Sequence, residues 1–171
     1  AMQAIAPLEL AEHWDNPGLL VDCGGAVRRV LVTLDITPEV VAEAAAKQCT
    51  VIVAHHPVIF DPLKRLCPTD VPYQLVQAGI SAICMHTNLD AADGGVNDAL
   101  AEKLGLLQTE YLTDEKIGRV GTLKCQIPLV EFTRFVVKSL GCNGLRYTDC
   151  GRPVHRVAVG CGACGEYIAQ A

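Results

Sequence analysis

The sequence predicts an α/β fold: a mostly parallel sheet layered with helices, with a smaller α+β second half. Three observations point there. Arg29 to Leu34, Thr50 to Ala54 and Ile80 to Met85 are short apolar runs rich in β-branched residues, as expected of strands buried in a parallel sheet. Segments with helical spacing alternate with these runs, which implies parallel strands joined by right-handed crossovers. After Gly105 the texture changes to a polar stretch followed by a separate strand–helix–strand set.

Each element has a local cause. Pro7 to Trp14 reads as a short amphipathic helix with Pro7 in its first turn, stopped by Asn16-Pro17-Gly18. The first strand ends at Asp35; Thr37-Pro38-Glu39 then opens an alanine-rich helix running to about Gln48, with Thr37 positioned as its cap. A strand over Thr50 to Ala54, a helix over Tyr73 to Ala78 and a strand over Ile80 to Met85 follow. Gly94 to Leu104 carries Val96, Leu100 and Leu104 at helical spacing and stops at Gly105. Tyr111 to Arg119 reads as a connection or site rim, Val120 to Ile127 as a strand, Leu129 to Leu140 as an amphipathic helix and His155 to Val159 as a final strand. This divides the chain into an α/β unit over 1–110 and a smaller α+β portion over 111–171, the latter expected to be incomplete at its C-terminus.

Composition narrows the function classes. The 171 residues are half apolar and 19% charged, with a formal net charge of −5, which fits a globular chain rather than a disordered one. No cluster of lysine or arginine makes a basic face, so no extended nucleic-acid surface is expected. No apolar run approaches the roughly 20 residues of a membrane span, and the N-terminus shows no basic segment leading into an apolar core. Ala1 before Met2 reads as an expression scar. Nine cysteines, several of them within apolar runs, fit reduced thiols in a cytoplasmic protein better than a secreted disulfide framework.

The chemistry concentrates at strand ends. Val51-Ile52-Val53-Ala54 breaks off at His55-His56-Pro57, and the run ending at Met85 continues as His86-Thr87-Asn88-Leu89-Asp90. Ligands of open parallel sheets collect at the carboxyl ends of the strands. Adjacent histidines within a strand point to opposite faces. At a strand end, before a proline that holds the chain extended, both can turn into one cavity. Imidazoles with a carboxylate suit zinc, iron or manganese, and two neighbouring rings suit a pair of ions about 3.5–4 Å apart. His55, His56 and Asp90 are therefore the expected metal ligands, with Asp90 closing the strand beside the His55–His56 strand. His86 reads as a ligand, an outer hydrogen-bond donor or a substrate-facing group. Asp35 could orient a histidine or hold water. His86 and Asp35 are the candidate catalytic residues. As plain strand caps these histidines would simply bond the loops around them. His13 reads as a surface side chain, and His155 has no evident partner.

Gly160-Cys161-Gly162-Ala163-Cys164-Gly165 satisfies a dinucleotide-loop pattern and a Cys-x-x-Cys pattern together. The first requires a further strand and an acidic residue downstream. The second suggests a thiol-redox pair or half a zinc site. A tight strand-to-helix turn is the simpler reading.

On these motifs the chain resembles the GTP cyclohydrolase I type 2 family of dinuclear metal-binding proteins, also known as the Ngg-one-interacting-factor-three-like family. The resemblance runs through Trp14-Asp15-Asn16-Pro17-Gly18-Leu19-Leu20-Val21, Leu34-Asp35-Ile36-Thr37, Ala54-His55-His56-Pro57, Gly94-Gly95-Val96-Asn97-Asp98 and Ile117-Gly118-Arg119-Val120-Gly121. It implies that His55, His56 and Asp90 ligate two adjacent divalent ions. The family completes that site with a histidine and a glutamate four residues apart near the C-terminus, a pair this sequence does not contain. Cys161 and Cys164 also stand where the family more often has glycine, serine or alanine.

The implied activity is a divalent-metal-dependent hydrolase acting on a small molecule such as a nucleotide. The alternative is a non-catalytic metal-binding or regulatory interaction protein. The implied assembly is a homo-oligomer, typically a hexameric ring.

Overall fold

A computed structural model describes residues 1–171. The chain forms two compact units, 1–89 and 90–171. That division falls about twenty residues before the 110/111 boundary expected from the sequence texture. Its cause is the helix over 96–103, which packs on strands of the second unit.

The first unit contains α1 (Met2–Ile5), β1 (Gly18–Val21), β2 (Val30–Thr33), α2 (Pro38–Ala46), β3 (Val51–Ala54), α3 (Val71–Ala78) and β4 (Ser81–Cys84). Its sheet has the order β1-β4-β3-β2. The β2–β3 and β3–β4 pairs are parallel, and β1 joins antiparallel to β4. Thr33 pairs with Ala54, and Ala54 with Cys84, so the three parallel strands end level. That register places Asp35, His55–His56 and His86 at one sheet edge.

Local chemistry sets the crossovers. Thr37 Oγ1 accepts from the Val40 amide at 3.3 Å and Pro38 occupies the first turn of α2, the N-terminal arrangement expected of that helix. Gly79 ends α3 in the left-handed conformation. Val41 and Ala44 of α2 and Leu75 of α3 bury against Ile52 and Ala82 of the sheet, with Ile80 and Cys49 filling the core. β2 is an edge strand, and its Val30 and Val32 are exposed.

Three expectations are corrected. Pro7 to Trp14 is not a helix: only a 3-10 turn forms over Leu8–Leu10. The following residues are drawn out because the Glu12 amide binds Thr87 Oγ1 and Asp15 binds His86 and Thr87. Gly18–Val21, read only as the sequel to a helix stop, is β1. Asp90 does not end a strand. β4 stops at Cys84, and Asp90 lies in a short helix, α4 (Thr87–Ala91).

The second unit continues with α5 (Val96–Lys103), β5 (Leu107–Tyr111), β6 (Arg119–Ile127), α6 (Leu129–Leu140) and β7 (Val154–Val159), ending in a 3-10 turn over Cys164–Ala169. Its sheet is antiparallel, in the order β5-β6-β7. Ala101 of α5 and Leu104 just after it pack with Leu123, Val157 and Val159, joined by Phe132 and Val136 of α6. The polar stretch beginning at Tyr111 is the turn between β5 and β6. β5 escaped the sequence reading because all five of its residues are exposed, leaving no buried alternation to see.

The Ile117-Gly118-Arg119-Val120-Gly121 block has a packing reason. At Gly118, with φ of +68°, an added Cβ would meet Val159 O at 2.8 Å; at Gly121 it would meet Leu107 O at 2.9 Å. Between them Arg119 is buried, donating to Asp98, to Ala91 O and Ala92 O, and to Lys116 O and Gly118 O. Its guanidinium also lies 4.6 Å from the centre of the Tyr111 ring.

Candidate metal centre

At the carboxyl edge of the first unit's sheet, His55, His56 and His86 converge. One ring nitrogen from each lies within 4.8 Å of the others, and the ring centres are 5.1, 5.3 and 5.9 Å apart. The ladder carries beyond the strands to set this geometry: the His55 amide binds Thr33 O, the His56 amide binds Leu34 O, and the Met85 amide binds Ala54 O.

Each imidazole is held through the same atom. His55 Nδ1 lies 2.9 Å from Met85 O, His56 Nδ1 2.7 Å from Asp35 Oδ1, and His86 Nδ1 2.8 Å from Asp15 Oδ1. A carbonyl and two carboxylates can only accept, so all three Nδ1 atoms carry a proton, and in the neutral rings the lone pair is on Nε2. This is how metal-ligating histidines are commonly oriented.

The supports differ in depth. The Asp15 carboxylate is fully buried, whereas the Asp35–His56 pair is about half exposed. Asp15 also accepts from the Thr87 amide at 3.1 Å and the Thr87 hydroxyl at 2.5 Å. Burial alone would raise its pKa; the hydrogen bonds from Thr87, His86 and Asn16 outweigh that and hold it below the usual carboxylate range. The Asn88 side chain, completely buried, accepts from the His86 amide and donates to Ala6 O.

Of the residues singled out in the sequence, His55, His56 and His86 come together and Asp35 holds His56. Asp90 belongs to the second unit. There its backbone carbonyl accepts from Asn97 Nδ2 at 3.0 Å, and Asn97 Oδ1 accepts from the Cys161 amide at 2.9 Å. Burial, with the Asp90 carboxylate beside it, pushes the Cys161 thiol well above its ordinary pKa. Cys164 Sγ lies 2.7 Å from Cys161 O, and Gly162 has φ of +68°, so the glycine–cysteine segment is a tight turn after β7. Asp15 was the residue that sequence reasoning passed over. Its one signal was its place inside the Trp14-to-Val21 block, between a helix breaker and an aromatic.

The level strand ends and their histidine cluster define an α/β scaffold with a site suited to a metal ion. Across residues 1–171 the chain matches the family model described as Duf34/NIF3 (NGG1p interacting factor 3), and it belongs to that family. The GTP cyclohydrolase 1 type 2 homolog of Lactococcus lactis is 37% identical over 173 residues, covering 95% of this chain and 66% of that protein. NGG1-interacting factor 3 of Saccharomyces cerevisiae is 46% identical over 107 residues, 54% of this chain and 37% of that protein. The chain thus spans just under two thirds of the first relative's length and just over a third of the second's. Among solved structures, a Bacillus cereus protein related to NIF3 superposes with a TM-score of 0.89 at 24% identity, covering 99% of this chain and 76% of that one. Reduced HcgD from Methanocaldococcus jannaschii gives 0.71 at 30% identity, covering 80% and 56%.

Proposed function

We propose that the first unit binds a divalent metal ion through His55, His56 and His86, and that the protein is a metal-dependent hydrolase of the GTP cyclohydrolase 1 type 2-like kind, acting on a nucleotide or related small molecule. One observation carries the reading: three neighbouring imidazoles are each tied through Nδ1 to an oxygen acceptor, so that in the neutral rings the lone pairs reside on Nε2. Neutral imidazole donors fit zinc, iron or manganese. A divalent ion held there supplies Lewis acidity, lowering the pKa of an attacking water toward neutrality and polarising a substrate oxygen.

The residues around it divide the work. Met85 O, Asp35 and Asp15 fix the ring orientations of His55, His56 and His86 respectively. His86 and Asp35 thereby serve as ligand and orienting carboxylate, rather than as proton carriers. The family resemblance adds Asp90 as a further ligand and a second ion; an Asp90→Asn variant that takes up less metal than the parent supports that addition. It also adds a hexameric assembly, which light scattering on the purified protein tests.

The direct experiment measures zinc, iron and manganese uptake by the purified chain, then metal-dependent turnover on GTP, other nucleotides and phosphate esters. Metal uptake with turnover supports the hydrolase. A specific observation favours the alternative of a metal-binding protein without turnover: both carboxylates bonded to the histidines, Asp15 and Asp35, are engaged as imidazole acceptors. Reversible metal uptake with no turnover across that panel selects the alternative.

A further inference from the structure

Beside the histidine cluster stand two large aromatic side chains that the metal reading does not use. Trp14 and Phe60 are 52% and 47% exposed, their ring centres are 6.1 Å apart at a 50° tilt, and Trp14 meets His86 edge-on at 6.4 Å. Exposed side chains of this size gain little from the fold itself. The chain beside each of them is nevertheless tied in place. Next to Trp14, the buried Asp15 carboxylate binds His86 and Thr87. One residue on, Asn16 Nδ2 donates at 2.7 Å to Ile59 O, the carbonyl just before Phe60. Three consecutive residues thus supply an aromatic face, a tether to the cluster and a tether to the second aromatic.

We propose that Trp14 and Phe60 form a stacking wall for the substrate of the histidine cluster, selecting a flat conjugated heteroaromatic ring over an aliphatic or sugar-only ligand. The inference rests on the proposed metal site, since it is the reacting group delivered there that the wall would orient. The physical basis is general. Planar rings stack on exposed aromatic side chains irrespective of their hydrogen-bonding pattern, and the half-exposed Trp14 and Phe60 rings keep surface open to such a ring. A rigid wall also lowers the ordering cost of binding. The wall therefore sets which substrate class binds, and does not itself take part in bond making.

Trp14 is the single tryptophan of the chain, so its emission reports the wall directly. The test titrates the full chain, with and without zinc, with guanosine, adenosine and ribose 5-phosphate. The expected result is saturable quenching by at least one nucleoside and none by ribose 5-phosphate. Phe60→Ala is expected to weaken nucleoside binding about 10-fold, the order of one stacking contact. Trp14→Ala, read by calorimetry, should do the same, whereas Trp14→Phe should retain most of the affinity. Zinc uptake should be unchanged in all three variants.

Failure of both nucleosides to bind, equal binding of ribose 5-phosphate, or unchanged affinity in Phe60→Ala would overturn the wall and leave the metal reading standing if zinc still binds. Nucleoside quenching in a chain that takes up no zinc would uphold the wall and remove the metal reading.

Discussion

Asp15 and His86, 71 positions apart in sequence, are joined by a 2.8 Å hydrogen bond from the imidazole Nδ1 to a fully buried carboxylate. That bond makes the N-terminal loop part of the candidate metal site. It also fixes the tautomer of the third histidine from outside the sheet.

Replacing Asp15 with Asn should therefore weaken metal binding while the fold persists. Loss of an outer-shell partner typically costs 10–100-fold in metal affinity, and zinc competition with a chromophoric chelator reads this directly. Asp35→Asn removes a half-exposed support and should cost less. An affinity unchanged by Asp15→Asn would mean that the bond does not serve the site.

In the second unit, Arg119 is the group whose loss should cost most. It is buried and bonded to Asp98 and to carbonyls on two further segments. The guanidinium is buried but the Asp98 side chain is 31% exposed, so the loss falls chiefly on backbone carbonyls left without their donor, ~1–3 kcal/mol, and Arg119→Met should lower the urea midpoint of this unit. A midpoint within experimental error of the parent contradicts this.

The same pair sets an acid limb. Burial alone would raise the Asp98 pKa, but the Arg119 and Gly94 hydrogen bonds hold it below the ordinary carboxylate value. A carboxyl depressed in the folded state contributes stability above its unfolded pKa, about 3.9 for aspartate. That contribution is lost as pH falls through the lower folded value. Unfolding midpoints measured from pH 6 down to pH 2.5 should drop more steeply below about pH 4 in the parent than in Asp98→Asn. Parallel curves would show that the pair has no linked stability.

Alanine at Gly118 or Gly121 should destabilise the three-stranded sheet by about 1–3 kcal/mol, because the new Cβ meets backbone oxygen rather than a movable side chain. Gly118 adds the strain of its positive φ. Thermal melts of the two variants check this, and unchanged melting temperatures would contradict it.

The thiols should react in an order set by burial. Burial, with Asp15 nearby, pushes the Cys84 pKa up to about 12, whereas Cys125 and Cys150 are exposed. Brief iodoacetamide treatment at pH 8, read by mass spectrometry, should label Cys125 and Cys150 and spare Cys84. Early labelling of Cys84 would show that its strand opens readily.

Much of this was readable from residue order. Fully buried parallel strands leave uninterrupted apolar runs, and those runs located β2, β3 and β4 along with the histidines at their ends. The amphipathic period of α6 gave its limits directly. What escaped was set by contacts distant in sequence. β1 looks like a helix stop until Gly18 and Leu19 pair with Cys84 and Ile83. β5 has no buried face to betray it. Asp90 reads as a strand end because helix α4 is too short to leave a periodic trace. The His86–Asp15 bond joins two segments that no local pattern connects. His86 consequently remained one of several possibilities in sequence and entered the cluster only through geometry.

Three Nδ1-tethered imidazoles are proposed to hold a divalent ion. Zinc uptake by the purified chain, compared with a His55→Ala/His56→Ala double variant and with His86→Ala, tests it most directly. The expected result is at least one tightly held ion per parent chain, and marked loss of affinity in both variants without loss of fold by circular dichroism. Equal zinc content in parent and variants, or none in a folded parent, would contradict it.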